Sequence, residues 1–78
     1  MIDENEIAAC VRKAVREYFT HLDGEKPYAI YEMVIACVEK PLLEVVLDHT
    51  QGNQTRASEI LGLNRNTLRK KMKSHGIK

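Results

Sequence analysis

The sequence predicts an all-α protein of four helices, and three observations carry that reading. Apolar residues recur at spacings of three and four through most of the 78 residues. Asp, Asn and Gly stand where that pattern starts and stops. No segment reads as a strand, a repeat or a low-complexity tract. A chain of this length forms at most one domain and buries a modest share of its surface, so stabilising help from a partner subunit is expected.

The first helix is expected from near Asp3, whose side chain caps it while Glu6 completes a capping-box pair, to Leu22. Ile7, Cys10, Val11, Ala14, Val15, Tyr18, Phe19 and Leu22 form its apolar stripe, and Asp23-Gly24 supplies the left-handed stop. Lys26-Pro27 reads as the entry to a second helix running to about Thr50, because proline fits a first helical turn without losing a needed N–H. Its main stripe is Ile30, Tyr31, Val34, Cys37, Val38, Leu42, Val45 and Val46, and Met33, Ile35, Leu43 and Leu47 widen it well beyond one face. The first helix cannot cover so much, so the uncovered side is expected to pack against a second copy in a symmetric dimer. The interface residues are taken as Val11, Val15, Tyr18, Phe19, Val34, Val38, Leu42 and Val45. Pro41 predicts either a kink near Val38–Pro41 or a break into two helices.

Gln51-Gly52 ends that helix, and Asn53 caps a third from Gln54 to Leu61. Gly62-Leu63 turns the chain, Asn64 caps a fourth helix from Arg65 to about His75, and Gly76 terminates it. Two helices joined by about three residues with glycine in the link form a helix-turn-helix. Residues 1–50 are thus expected to be a helical dimerisation core and residues 51–78 a nucleic-acid-binding unit.

Composition excludes several classes. Met1 is followed by acids rather than a basic and then apolar leader, and charged residues such as Glu32, Glu39, Lys40, Glu44 and Asp48 interrupt every apolar run. Neither a signal peptide nor a membrane helix is expected, which points to the cytoplasm. Cys10 and Cys37 fall on apolar stripes and read as reduced, packed thiols. His21, His49 and His75 lack ligand spacing and read as solvated surface residues, so no metal and no cofactor are expected. No nucleophile set or phosphate loop is present, and the carboxylates read as solvent-facing, which argues against an enzyme.

Charge supplies the functional signal. From Gln51 onward there are seven Lys/Arg against one acid, Glu59, whereas residues 1–50 carry five bases against ten acids. The basic stretch coincides with the helix-turn-helix, which favours a polyanionic duplex over a membrane surface. On the fourth helix Leu68 and Met72 are expected inward, with Asn66, Arg69, Lys70 and Lys73 spread outward and Arg65 at the N-terminal edge. Asn64 and Arg65 sit where a recognition helix enters the major groove and are side chains suited to base edges. Asn53, Gln54, Thr55 and Arg56 sit at the N-terminus of the third helix, which suits a phosphate. The four aromatic residues, Tyr18, Phe19, Tyr28 and Tyr31, all precede the basic region, so base stacking on single-stranded RNA is disfavoured. A pure dimerisation or adaptor module is the remaining rival, and it leaves the cations of Arg65 to Lys73 without a role.

The run Gly52-Asn-Gln-Thr-Arg-Ala57, followed by Gly62-Leu-Asn-Arg-Asn-Thr-Leu-Arg-Lys-Lys-Met-Lys73, resembles the C-terminal region of the bacterial Fis (factor for inversion stimulation) family. Glu39-Lys-Pro-Leu-Leu-Glu44 and the segment from Val11 to Gly24 extend the resemblance over nearly the whole chain. The C-terminal motif is shared with the DNA-binding domains of nitrogen-regulation type activators. The long apolar helix with its proline, and the lack of an ATPase module, favour Fis. The resemblance implies a homodimer whose first two helices interlock as a core, presenting two helix-turn-helix units that bend double-stranded DNA and read degenerate sites partly through its shape. Such a protein compacts the nucleoid and regulates transcription, with RNA polymerase as a further partner. Carried over by position, Arg65 reads a guanine and Asn64 lies beside it near base edges. Asn53, Gln54, Thr55, Arg56, Thr67, Arg69 and Lys70 face phosphates, and Lys71 and Lys73 meet flanking DNA. The chain begins almost at its first helix, without the β-hairpin arms through which enteric relatives touch recombinases, so recombinase contact is not expected. It also carries Asn66 where those relatives have a small residue.

Overall fold

The computed structural model describes residues 4–78, with side chains from Asn5 onward, and among them the only regular elements are four helices. These are α1 (Glu4–Thr20), α2 (Ile30–His49), α3 (Gln54–Leu61) and α4 (Arg65–Ser74). The all-α expectation holds. The Asp3 cap lies outside the described residues.

The N-terminal unit ends at Val34 and contains α1. Helix α1 stops at Thr20, two residues before the expected Leu22, and the chain leaves it through hydrogen-bonded turns. Thr20 Oγ1 donates to the Arg16 carbonyl at 3.0 Å, and the His21 ring nitrogen takes up the Glu17 carbonyl at 2.7 Å. Asp23 and Gly24 then adopt φ of 52° and 85°, the left-handed reversal that the sequence signals. The entry of α2 departs from expectation. It begins at Ile30, not at Lys26-Pro27, because Ala29 is left-handed at φ 53° and breaks the right-handed path. Residue 26, preceding proline, is also steered away from helical geometry. Helix α2 then runs unbroken through Pro41, so the alternative of two separate helices is ruled out.

The C-terminal unit, Ile35–Lys78, contains the well-buried core. Leu43 and Leu47 of α2, Ala57 of α3, and Leu68 and Met72 of α4 form one apolar cluster, joined by Val46, Leu61 and Ile77. Leu68 and Met72 point inward as their period requires. The buried edge of α2 is Leu43 and Leu47, whereas Val38, Leu42 and Val45 of the expected main stripe are exposed in the single chain. Two other expectations fail here. Cys10 and Cys37 are free, as expected, but are exposed in the single chain rather than packed. His75 is not solvated: its side chain retains 11% exposure and bonds to Glu39, itself part-buried rather than solvent-facing.

Turn chemistry sets the angle between α3 and α4. Gly62 closes α3 at φ 73°, and the Leu63 amide reaches back to the Ser58 carbonyl at 3.0 Å. Ala57, fully buried, has no bulk to hold the helices apart. Past α4, the Ile77 amide bonds the Met72 carbonyl at 2.8 Å, which folds Ile77 back onto the core.

Leu68 is fully buried at the centre of this small cluster. Leu68→Ala is expected to destabilise the C-terminal unit by about 3 kcal/mol, within the usual range for a core leucine. Urea unfolding followed by circular dichroism measures it; a loss below about 1 kcal/mol would mean that the leucine does not anchor the core.

Candidate nucleic-acid interface

Both helices of the turn unit begin with an asparagine in extended conformation whose side chain caps the helix. Asn53 Oδ1 accepts from the Arg56 amide at 3.1 Å, and Asn64 Oδ1 accepts from the Asn66 amide at 2.8 Å. Each bond satisfies one of the four amide donors that a helix N-terminus leaves free, and is worth about 1 kcal/mol. The remaining amides of the first turn, those of Gln54 and Thr55 in α3, point out of the helix end as its positive pole.

With about 100° per residue, the inward direction set by Leu68 and Met72 divides α4 into an outward face and two flanks. One flank lies toward α3. There Arg65 Nη1 donates to Thr55 Oγ1 at 3.4 Å, and Arg69 Nε donates to Gln54 Oε1 at 3.0 Å. The structure thereby gathers Asn53, Gln54, Thr55, Arg65 and Arg69 into one exposed, polar, cationic surface. Arg56 adjoins it between two shallow concavities beside the α3 N-terminus, one of them reaching Glu59 and Ile60 and the other reaching His49 and Gln51. The outward face carries Asn66, Lys70 and Lys73, all exposed, with Thr67 beside them. No acid occurs from Asn64 to the C-terminus.

The opposite flank turns toward α2. Lys71 Nζ lies 2.8 Å from Glu39 Oε2, and His75 Nε2 donates to Glu39 Oε1 at 2.9 Å. Lys71, expected to meet flanking DNA, is therefore held by a carboxylate, although an ammonium group has further donors to offer. The hydrogen bond from Lys71, then that from His75, holds the Glu39 carboxyl below its ordinary value; partial burial opposes them, and the two positive charges assist. Glu39 and His75 are the residues that sequence reasoning missed. Lys71 and His75 share a flank at i and i+4, but nothing local indicates that a carboxylate 32 residues upstream meets them.

None of the positions expected at a dimer interface is fully buried in the single chain. On α1, Val11, Val15 and Tyr18 are half-buried, while Phe19 is exposed and meets Tyr18 edge-to-face at 5.9 Å. On α2, Val34 is half-buried, and Ile35, Val38, Leu42 and Val45 form an exposed seam spaced three, four and three residues apart. That is the repeat of helices packing along a 3.5-residue seam. No helix among the described residues is long and apolar enough to cross a membrane, and no metal-holding group of side chains is found among them.

Comparison with known proteins agrees with this geometry. Residues 35–75, which hold the C-terminal part of α2 and the whole turn unit, match the family model described as bacterial regulatory protein, Fis family. The chain is also similar to the DNA-binding protein Fis of Glaesserella parasuis serovar 5 (strain SH0165), with 52% identity over 67 residues, covering 86% of this chain and 68% of that protein.

The Glu39 brace makes a pH prediction. A carboxyl whose folded pKa is depressed contributes stability above its unfolded pKa and loses it as the pH falls through the folded value. The contribution should thus be fully present above the ordinary glutamate value of about 4.3 and be lost as the pH falls through the lower folded value. Glu39→Gln is expected to cost about 1 kcal/mol or less at neutral pH, since the pair is partly solvated. In thermal melts the gap between wild type and variant should narrow as the pH falls through the depressed Glu39 value; a gap unchanged by acidification would show that the contribution is not ionic.

Proposed function

The chain belongs to the Fis family of bacterial regulatory proteins, and from that premise we propose that it is a homodimeric protein that binds and bends double-stranded DNA. Its role is that of a nucleoid-associated regulator of transcription in the cytoplasm. The observation that carries this reading is the joined surface of α3 and α4: two helix N-termini, Arg65, Arg69, Lys70 and Lys73, with no acid from Asn64 onward. A duplex presents that surface with both phosphates and a groove wide enough for α4.

In the mechanism proposed, α4 enters the major groove by its N-terminal end. The Arg65 guanidinium reads a guanine through paired donors to O6 and N7, and Asn64 offers its amide N–H beside it. Asn53, Gln54, Thr55 and Arg56 hold a phosphate at the α3 N-terminus, and Thr67, Arg69 and Lys70 hold the backbone along α4. Lys71 and Lys73, nearer the C-terminal end, meet DNA curving past the complex. Phosphate contacts set the register and most of the affinity, and Arg65 contributes sequence preference.

Dimerisation is supported by the exposed seam of Ile35, Val38, Leu42 and Val45, because four large apolar side chains on one helix face, each still about half exposed, would gain roughly half of the ~1.5–3 kcal/mol of full burial apiece. Two recognition helices fixed on one dimer core demand a set spacing of grooves, and DNA bends to meet it, adding readout of shape to readout of bases. A contact with RNA polymerase is consistent with regulation. Nothing in this reading calls for catalysis.

Gel-shift mobility on circularly permuted fragments of about 150 bp, the length over which duplex DNA is stiff, tests the proposal together with light scattering on the free protein. Position-dependent mobility and a dimeric free protein are expected. A monomer, or binding without bending, would instead favour an isolated activator DNA-binding domain, and no binding would leave a helical adaptor. The roles separate by mutation. Arg65→Ala is expected to cost about 1–3 kcal/mol on guanine-containing sites and to relax that preference, while Lys70→Ala weakens every duplex alike. Equal loss of specificity from both would overturn the assignment.

A further inference from the structure

Base reading by a carboxamide needs both of its ends. Asparagine recognises adenine by donating from Nδ2 to N7 while Oδ1 accepts from N6. Asn64 is poorly placed to do this, because its Oδ1 accepts from the Asn66 amide at 2.8 Å, which holds the carboxamide oxygen against the helix end, and turning it away would uncap α4. While the cap is kept, its Nδ2 is the end free to turn toward a base, and the second lone pair of Oδ1 stays beside the helix end.

Asn66 stands differently. Its side chain is exposed, and its backbone amide, not its carboxamide, serves the cap. Taking the bisector of Leu68 and Met72 as inward, Asn66 projects within about 40° of straight outward, whereas Arg65 lies about 140° away and reaches the surface by its length. Asn66, Lys70 and Lys73 follow at i, i+4 and i+7, so Asn66 opens the outward row at the end by which α4 enters a groove, and the two lysines lie farther back toward the backbone. The two lysines behind it are donors without acceptors and are suited to phosphates or to guanine. Along that row only Asn66 can satisfy both a donor and an acceptor on one base.

Resting on the DNA-binding reading above, the geometry points to Asn66 as a second base-reading residue, whose carboxamide takes the major-groove edge of one adenine per half-site, next to the guanine read by Arg65. Asn64 is the cap that sets the helix end and thereby the direction of the Asn66 side chain.

The test is selection of bound sites from a randomised duplex pool, with competition binding on the selected sequences. It uses the full chain as wild type, Asn66→Ala and Asn64→Ser, the last keeping a capping oxygen while removing the amide. Helical content by circular dichroism verifies that each variant is folded. Wild type is expected to enrich one adenine per half-site, and Asn64→Ser to keep that preference while losing affinity through the donor removed beside Arg65. Asn66→Ala should lose about 10-fold of that preference, the order expected for one paired contact, while its affinity for mixed-sequence DNA changes less than about 2-fold. An adenine preference that survives Asn66→Ala, or a uniform loss on all sequences, overturns the inference and leaves the DNA-binding reading standing. Loss of the adenine preference in Asn64→Ser with retention in Asn66→Ala reverses the assignment. Wild type that binds no duplex overturns both readings together.

Discussion

The packing of Leu43 and Leu47 from α2 against Leu68 and Met72 from α4 is the contact on which the rest of the molecule depends. Helices of eight and ten residues are too short to persist in water by themselves, so α3 and α4 hold their shape through the face they bury. That face is buried against α2. The same helix carries the exposed seam of Ile35, Val38, Leu42 and Val45 on another side. One helix therefore connects the surface proposed for a second copy with the surface proposed for DNA, and a recognition helix fixed to it has little freedom to reorient independently.

The polar contacts refine what the core fixes. Each flank of α4 is tied to a different neighbour, by Arg65 and Arg69 to α3 and by Lys71 and His75 to Glu39 on α2. Neither set is strong, because partly solvated pairs contribute little net stability. Their value is directional. They limit the rotation of α4 about its own axis, which decides whether Asn66 and Lys70 or some other pair faces outward. The Glu39 carboxylate also consumes part of the charge of Lys71, so free positive charge is weighted toward the N-terminal and outward parts of the helix.

Local chemistry was legible in the sequence wherever one residue type has one use. Asn53 and Asn64 before α3 and α4, and Gly62 between them, gave boundaries that agree with the structure because capping and left-handed turns are decided by neighbouring residues. Pro27 misled because proline suits an extended connection as well as a first helical turn, and the left-handed Ala29 that delays α2 has no sequence signature. The widened stripe of α2 was readable as an excess of apolar residues. Which part faced its own chain was not, since period alone ranks Leu42 and Leu43 as equals and only the position of α4 separates them, burying Leu43 to 1% and leaving Leu42 at 51%. The cationic half was legible from charge and order. Glu39 was not, because an ion pair spanning two elements depends on their packing.

The two asparagines at the start of α4 show how such packing divides roles between residues of the same type. Helix initiation needs an acceptor at Asn64, and meeting that need fixes the direction of the oxygen with which its carboxamide would form a paired contact. Two positions on, the helix has begun, the side chain is turned outward, and no backbone donor competes for it. A base-reading role at the entrance of α4 is therefore limited less by which side chains are present than by which of them the helix has already used. At position 64 the helix start demands a capping acceptor, whereas at position 66 the structure makes no such demand on the side chain, so a change there leaves the helix end intact.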